Sequence, residues 1–135
     1  MSVVKELIKA DGNMLSFGDY TLAEKTKKDG FVFEGASFKV KTFKEITKLE
    51  KDGVFFYESV PGTAVLDLKA ETNQISFSVE GPEDAEITVG VEEEATYVII
   101  VGGVAVGEMK ANLGGKLTFS VELSGEPVQV VLKKK

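Results

Sequence analysis

The chain contains no His, Cys, Trp or Arg. Each absence removes chemistry. Without His there is no side chain that ordinarily titrates near neutrality and no imidazole to act as general base or metal ligand. Without Cys there is no disulfide, no thiol nucleophile and no soft metal ligand. Nucleophilic sites of the Ser–His–Asp or Cys–His type are therefore excluded. Without Arg the planar fork that grips carboxylate, phosphate and guanine is missing, and all sixteen basic residues are Lys. No catalytic residue, metal ligand or cofactor is assigned on this basis.

Long hydrophobic runs are missing too. The longest, Tyr97 to Val106, is interrupted by Gly102-Gly103 and reaches about half of the ~20 residues a membrane-spanning helix needs. The N-terminus, Met1 to Lys9, has no apolar stretch of the kind found in secretory leaders. No membrane partner and a cytoplasmic location are expected, though a cleaved leader would change the location. The formal charge of -6 repels nucleic-acid phosphate. No nucleic-acid partner is expected, and the terminal Lys133-Lys134-Lys135 reads as a solvated end.

What is present points to a packed β protein. Hydrophobic residues make up 43% and charged residues 28% of the 135 positions, enough apolar bulk for one domain or two very small ones. Ile75, Phe77 and Val79 alternate with Ser76, Ser78 and Glu80. Ile87, Val89 and Val91 alternate with Thr88, Gly90 and Glu92, and Leu117 to Leu123 repeats the pattern. Period two marks strands with one buried and one wet face. Tyr97 to Val101 is apolar on both faces and reads as a central strand; Val128 to Leu132 reads as the last. Turn signals at Gly81-Pro82, Gly102-Gly103, Gly114-Gly115 and Ser124-Gly125 separate them. The spacing predicts about seven strands from Ala64 to Lys133, the count of an immunoglobulin-like sandwich.

The first half is also mostly β by this reading. Met14 to Phe17, Tyr20 to Glu24, Phe31 to Glu34, Phe38 to Phe43 and Val54 to Ser59 are the candidate strands, with hairpin turns expected at Asp29-Gly30 and Asp52-Gly53. Residues 43–51 allow two readings. Thr42-Phe43-Lys44-Glu45 matches a capping box, and Phe43, Ile46 and Leu49 fall at helical spacing; β-branched content and the following Asp-Gly favour a hairpin arm. Composition shifts near residue 63. Residues 1–66 balance ten Lys against ten Asp/Glu, whereas residues 67–135 hold six Lys and twelve Asp/Glu. Nine of the twelve aromatics lie in the first half. Val60-Pro61-Gly62-Thr63, read as a type II turn, sits at the change. The expected fold is thus all-β and antiparallel, with a small aromatic-rich β unit over 1–63 packed on an immunoglobulin-like β-sandwich over 64–135.

Apparent motifs dissolve on inspection. Gly102-Gly103-Val104-Ala105-Val106-Gly107 lacks the spacing and following helix of a dinucleotide site, and Gly114-Gly115-Lys116-Leu117 lacks the first Gly and the hydroxyl residue of a phosphate loop. Ser2-Val3-Val4-Lys5 has S-x-x-K spacing without its companion motifs. Glu80 to Asp84 and Glu92 to Glu94 do not match a spaced calcium loop. Carboxylate-only chemistry stays open, but among 22 Asp/Glu no pair stands out. The most informative local feature is Phe55-Phe56-Tyr57. In a regular strand Phe55 and Tyr57 face one way and Phe56 the other, so the segment is either buried on both sides or offers a ring face to a partner. These three are the candidate binding residues.

Two stretches carry a resemblance. Tyr97 to Gly107 followed by Ala111 to Val121 gives strand, glycine turn, strand, Asn-x-Gly-Gly turn, strand, and is similar to the accessory immunoglobulin-like β-sandwich modules of bacterial carbohydrate-active enzymes. Val40 to Gly53 and Tyr57 to Val65 extend the likeness: the whole chain resembles a family of short, uncharacterised all-β bacterial proteins, some of which carry an endosialidase label. That activity does not transfer, because sialidases hold the sialate carboxylate with an arginine cluster and carry an S-x-D-x-G-x-T-W box, and this chain has neither Arg nor Trp. The resemblance implies a fold and no catalytic residue. Residues and resemblance together lead to the expectation of a non-catalytic binding or assembly module, with protein or self-association as the first partner and carbohydrate as the second. The alternative is a carboxylate-based carbohydrate-active enzyme.

Overall fold

The computed structural model describes Val4 and residues 6–135, so the Ser2-x-x-Lys5 spacing lies outside the described residues. The described residues form thirteen strands: β1 (Ile8–Asp11), β2 (Met14–Phe17), β3 (Thr26–Phe33), β4 (Ala36–Phe43), β5 (Ile46–Lys51), β6 (Val54–Val60), β7 (Ala64–Ala70), β8 (Gln74–Glu80), β9 (Ala85–Gly90), β10 (Thr96–Val101), β11 (Val104–Lys110), β12 (Lys116–Val121) and β13 (Val128–Lys134). They form two sheets, a seven-stranded one in the order β1-β2-β7-β8-β13-β10-β11 and a six-stranded one in the order β12-β9-β6-β5-β4-β3. Every pairing is antiparallel. The molecule is an all-β sandwich, and residues 64–134 supply the seven strands expected of them.

The two halves of the chain are interleaved. β2 pairs with β7, and β6 pairs with β9, so both sheets draw strands from either side of residue 63. The composition change at 63 marks the turn where the chain crosses from the six-stranded sheet to the seven-stranded one. One core fills the space between the layers, containing Phe17, Leu68, Phe77 and Leu132 from one sheet and Phe38, Leu49, Tyr57 and Ile87 from the other. At its centre Tyr57 meets Phe17 edge-on with ring centroids 5.2 Å apart, and Phe77 at 5.9 Å. Each such ring pair adds about 0.5–1.5 kcal/mol beyond the area it buries.

Local departures have physical causes. Residues 43–51 are the end of β4, a turn at 44–45 and β5, so the hairpin reading holds over the helical one. Thr47 and Leu49 are buried while Ile46, Lys48 and Glu50 are only half-buried, a two-residue alternation that a helix cannot satisfy. Asp52-Gly53 does form a tight hairpin turn, with φ of 51° and 79°. Asp29-Gly30 does not: it lies inside β3, where the register slips between Lys28 and Phe31 and Gly30 takes φ 73°. The positive φ that suits a turn serves a β-bulge equally well. Tyr20 to Glu24 is a loop between β2 and β3. β10 is the second strand from the sheet edge; Tyr97 and Ile99 are buried, while Val98 and Ile100 lie on an uncovered outer face. The Val60–Pro61 bond is cis and Gly62 does not take a positive φ, so the turn is not type II.

Candidate functional site

Four loops meet at one end of the sandwich. The β2–β3 loop contributes Tyr20, the β4–β5 turn Lys44 and Glu45, the β6–β7 turn Val60 and Pro61, and the β8–β9 turn Pro82 and Glu83. Together they line a groove of about 500 Å³. Its walls are aromatic and aliphatic, and its rim carries one amine and two carboxylates. Its volume falls within the ~300–1,000 Å³ range usual for ligand clefts.

A buried hydroxyl network links the β4–β5 hairpin and β6 to the β6–β7 turn. Thr42, Thr47, Ser59 and Thr63 are all fully buried, a placement that requires every hydroxyl to be paired. The Thr47 hydroxyl donates to the Thr63 carbonyl at 2.7 Å, and the same oxygen accepts the Thr63 N–H at 3.0 Å. With its proton spent, Thr47 accepts from Thr42 at 2.8 Å, and Thr42 in turn accepts the Asp19 N–H at 2.9 Å. On the other side the Thr63 hydroxyl meets Tyr57 at 2.9 Å and Ser59 at 2.7 Å. Burial pushes the Tyr57 phenol above its ordinary range, against the opposing pull of the Thr63 and Ser59 hydroxyls.

Backbone contacts tie the loops to this network. The Lys44 N–H donates to the Leu22 carbonyl at 2.9 Å, and the Gly62 N–H donates to the Lys44 carbonyl at 3.1 Å. A Cβ on Gly62 would stand 1.9 Å from the Phe43 carbonyl oxygen, and one on Gly18 would stand 2.4 Å from that of Thr63. Both positions need glycine because backbone meets backbone there.

Behind the groove, Glu80 is 1% exposed and accepts the Tyr20 hydroxyl at 2.8 Å. Burial, this hydrogen bond and the nearby charges of Glu80 and Asp19 push the Tyr20 phenol up to about 12. The phenol thus stays a neutral donor, and its ring is fixed at the groove wall. Asp84 braces the adjoining turn by accepting the Leu123 N–H at 3.1 Å.

The aromatic candidates are dispersed. A bulge between Leu49 and Glu50 in the β5–β6 register removes Phe56 from the pairing, so Phe55 and Tyr57 do not share a face. Tyr57 has 0% exposure and is core. Phe56 packs on the edge of the core, 6.5 Å from Phe38 between ring centroids. Phe55 is on the outer face, with the Lys116 amine 4.4 Å from its ring centroid. Phe33, Phe38 and Phe56 border a gap of only about 30 Å³, about one water. The groove residues escaped sequence reading because Tyr20, Pro61 and Pro82 are far apart in the chain. The local signals were the two Pro-Gly and Gly-Pro turns at 61–62 and 81–82, which do not by themselves point to Tyr20.

Among the described residues no group of three or more Asp or Glu is placed to hold a metal ion. The acidic turns are engaged otherwise: Glu92 pairs with Lys134, Glu80 with Tyr20, and Asp84 with backbone. No family model, characterised protein or solved structure matches the chain.

Proposed function

We propose that this protein is a non-catalytic binding module that takes a small, hydroxyl-rich ligand in the loop-end groove. The observation that carries the reading is the fixed β6–β7 turn, which supplies Pro61 to the groove. Thr63 is held through its N–H, its carbonyl and its hydroxyl, so the groove exists before a ligand arrives and little ordering entropy is lost on binding. Tyr20, Val60 and the two prolines suit the C–H face of a sugar ring, while Lys44, Glu45 and Glu83 at the rim suit its hydroxyls. The resemblance of residues 97–121 to accessory modules of carbohydrate-active enzymes points the same way.

A panel of neutral oligosaccharides titrated calorimetrically into the protein tests this. The expected result is binding by at least one sugar, weakened about tenfold or more by Tyr20→Ala, as the loss of a packed aromatic wall implies. No heat from any sugar, or full affinity in Tyr20→Ala, refutes the proposal. Glu45 and Glu83 on one groove keep the carboxylate-based enzyme as a second reading. In that case reducing ends accumulate with time and Glu83→Gln abolishes the release.

A further inference from the structure

The outward face of the six-stranded sheet presents side chains in rows that cross the strands. The middle row reads Lys27, Lys41, Lys48, Glu58, Thr88 and Thr118, each directly opposite the next on β3, β4, β5, β6, β9 and β12. Lys41 therefore stands between two lysines. Directly opposed residues have Cβ atoms about 4.5–5.5 Å apart, and like charges so placed destabilise a sheet. The ion pairs among the described residues are Lys134–Glu92 and Lys135–Glu108, both away from this face. The one acid in the row is Glu58, directly opposite Lys48, so Lys27 and Lys41 have no carboxylate directly across from them. The other acids nearby are Glu50, opposite Lys39 in a neighbouring row, and Glu34, Glu45 and Asp52 on the bordering turns.

Beside the lysines runs an apolar row. Phe43 and Ile46 are direct partners, both half-buried, and Val60, 52% exposed, ends the adjoining β6 one residue past the Thr47–Ser59 pair. The Lys25 amine lies 5.9 Å from the Phe43 ring centroid. A basic row parallel to an apolar row is the complement of a partner with an acidic and an apolar stripe.

We infer that this face docks an acidic amphipathic helix of a partner protein, laid across β3, β4 and β5. Helix side chains three and four residues apart are about 5–6 Å from one another, which matches the lysine row. The partner's Glu or Asp residues meet Lys27, Lys41 and Lys48, and its apolar stripe covers Phe43 and Ile46. Lysine suits this role, since point charges on flexible stems do not require bidentate geometry. A nucleic acid offers no apolar stripe to the second row. An anionic bilayer is a plane, and would be driven against the acidic turns that border the face. The helix is seated on Phe43 and Ile46, which do not line the groove, so the inference stands or falls separately.

The test is a titration of the isotope-labelled full chain, followed by amide NMR. The probe is a synthetic helical peptide with Glu and Leu stripes at i, i+4 spacing. Shifts centred on Lys41, Ile46 and Lys48 are expected, weakening with added salt. Lys41→Glu should lower affinity about tenfold or more while raising the melting temperature, because it breaks the row of like charges. A variant that is more stable yet binds less cannot owe its loss to misfolding; Lys48→Gln gives a milder second check. Absence of shifts on this face overturns the inference. So does tighter binding there of a single-stranded oligonucleotide or of phosphatidylserine vesicles.

Discussion

Thr63 illustrates how one residue can couple core, turn and site. Its side chain satisfies two buried hydroxyls, and its backbone is clamped by Thr47. Thr63→Val keeps the shape but orphans the Tyr57 and Ser59 hydroxyls. Urea denaturation should show a loss of roughly 2–4 kcal/mol, against about 1 kcal/mol for Tyr57→Phe, since stranding a buried polar group costs more than deleting one. Gly62→Ala should be worse than either, because the Phe43 carbonyl occupies the space its Cβ needs. The tyrosines also set an alkaline limit. Tyr20 is raised from 10.0 to about 12 in the folded protein, so the unfolded chain releases this proton first. The stability it contributes is intact below pH 10 and is lost as pH rises toward 12. Tyr20→Phe should flatten that part of the pH–stability curve, as followed by denaturation midpoints across the range.

At the scale of the element, the strands were legible because their buried face imposes period two on the sequence. Ile75 to Val79 and Leu117 to Val121 declared themselves, as did the Asp52-Gly53 turn. Two features did not. Asp29-Gly30 carries the chemistry of a hairpin turn but forms a bulge in β3, since the same backbone freedom serves both and only the partner strand decides between them. In a regular strand Phe55 and Tyr57 would share a face opposite Phe56, yet the bulge in the β5–β6 register reassigns the faces. Bulges are set by pairing across strands, and local patterns do not encode them. The lysine row belongs to this scale as well: Lys27, Lys41 and Lys48 are unremarkable singly and become a feature only when three registers align them. Lys41→Glu should stabilise the fold by about 0.2–1 kcal/mol in thermal or chemical denaturation. A destabilisation would mean that the row costs the sheet nothing.

At the scale of the molecule, one core unites residues that composition had divided. The shift near residue 63 records a crossing between sheets, with β2 beside β7 and β6 beside β9. The groove was illegible for the same reason. It is assembled from four turns, and only the interleaved topology brings these turns to one end of the sandwich. With His, Cys and Arg absent from the chain, the groove offers shape and three rim charges to a ligand. The central claim is that the loop end is a preformed ligand site. It is tested most directly by crystals of the protein soaked with the oligosaccharide that binds best in solution. The account predicts sugar density against Tyr20, Pro61 and Pro82, with the Thr63 turn unmoved from its unliganded position. Sugar seated elsewhere, or a Thr63 turn that rebuilds around it, would contradict the account.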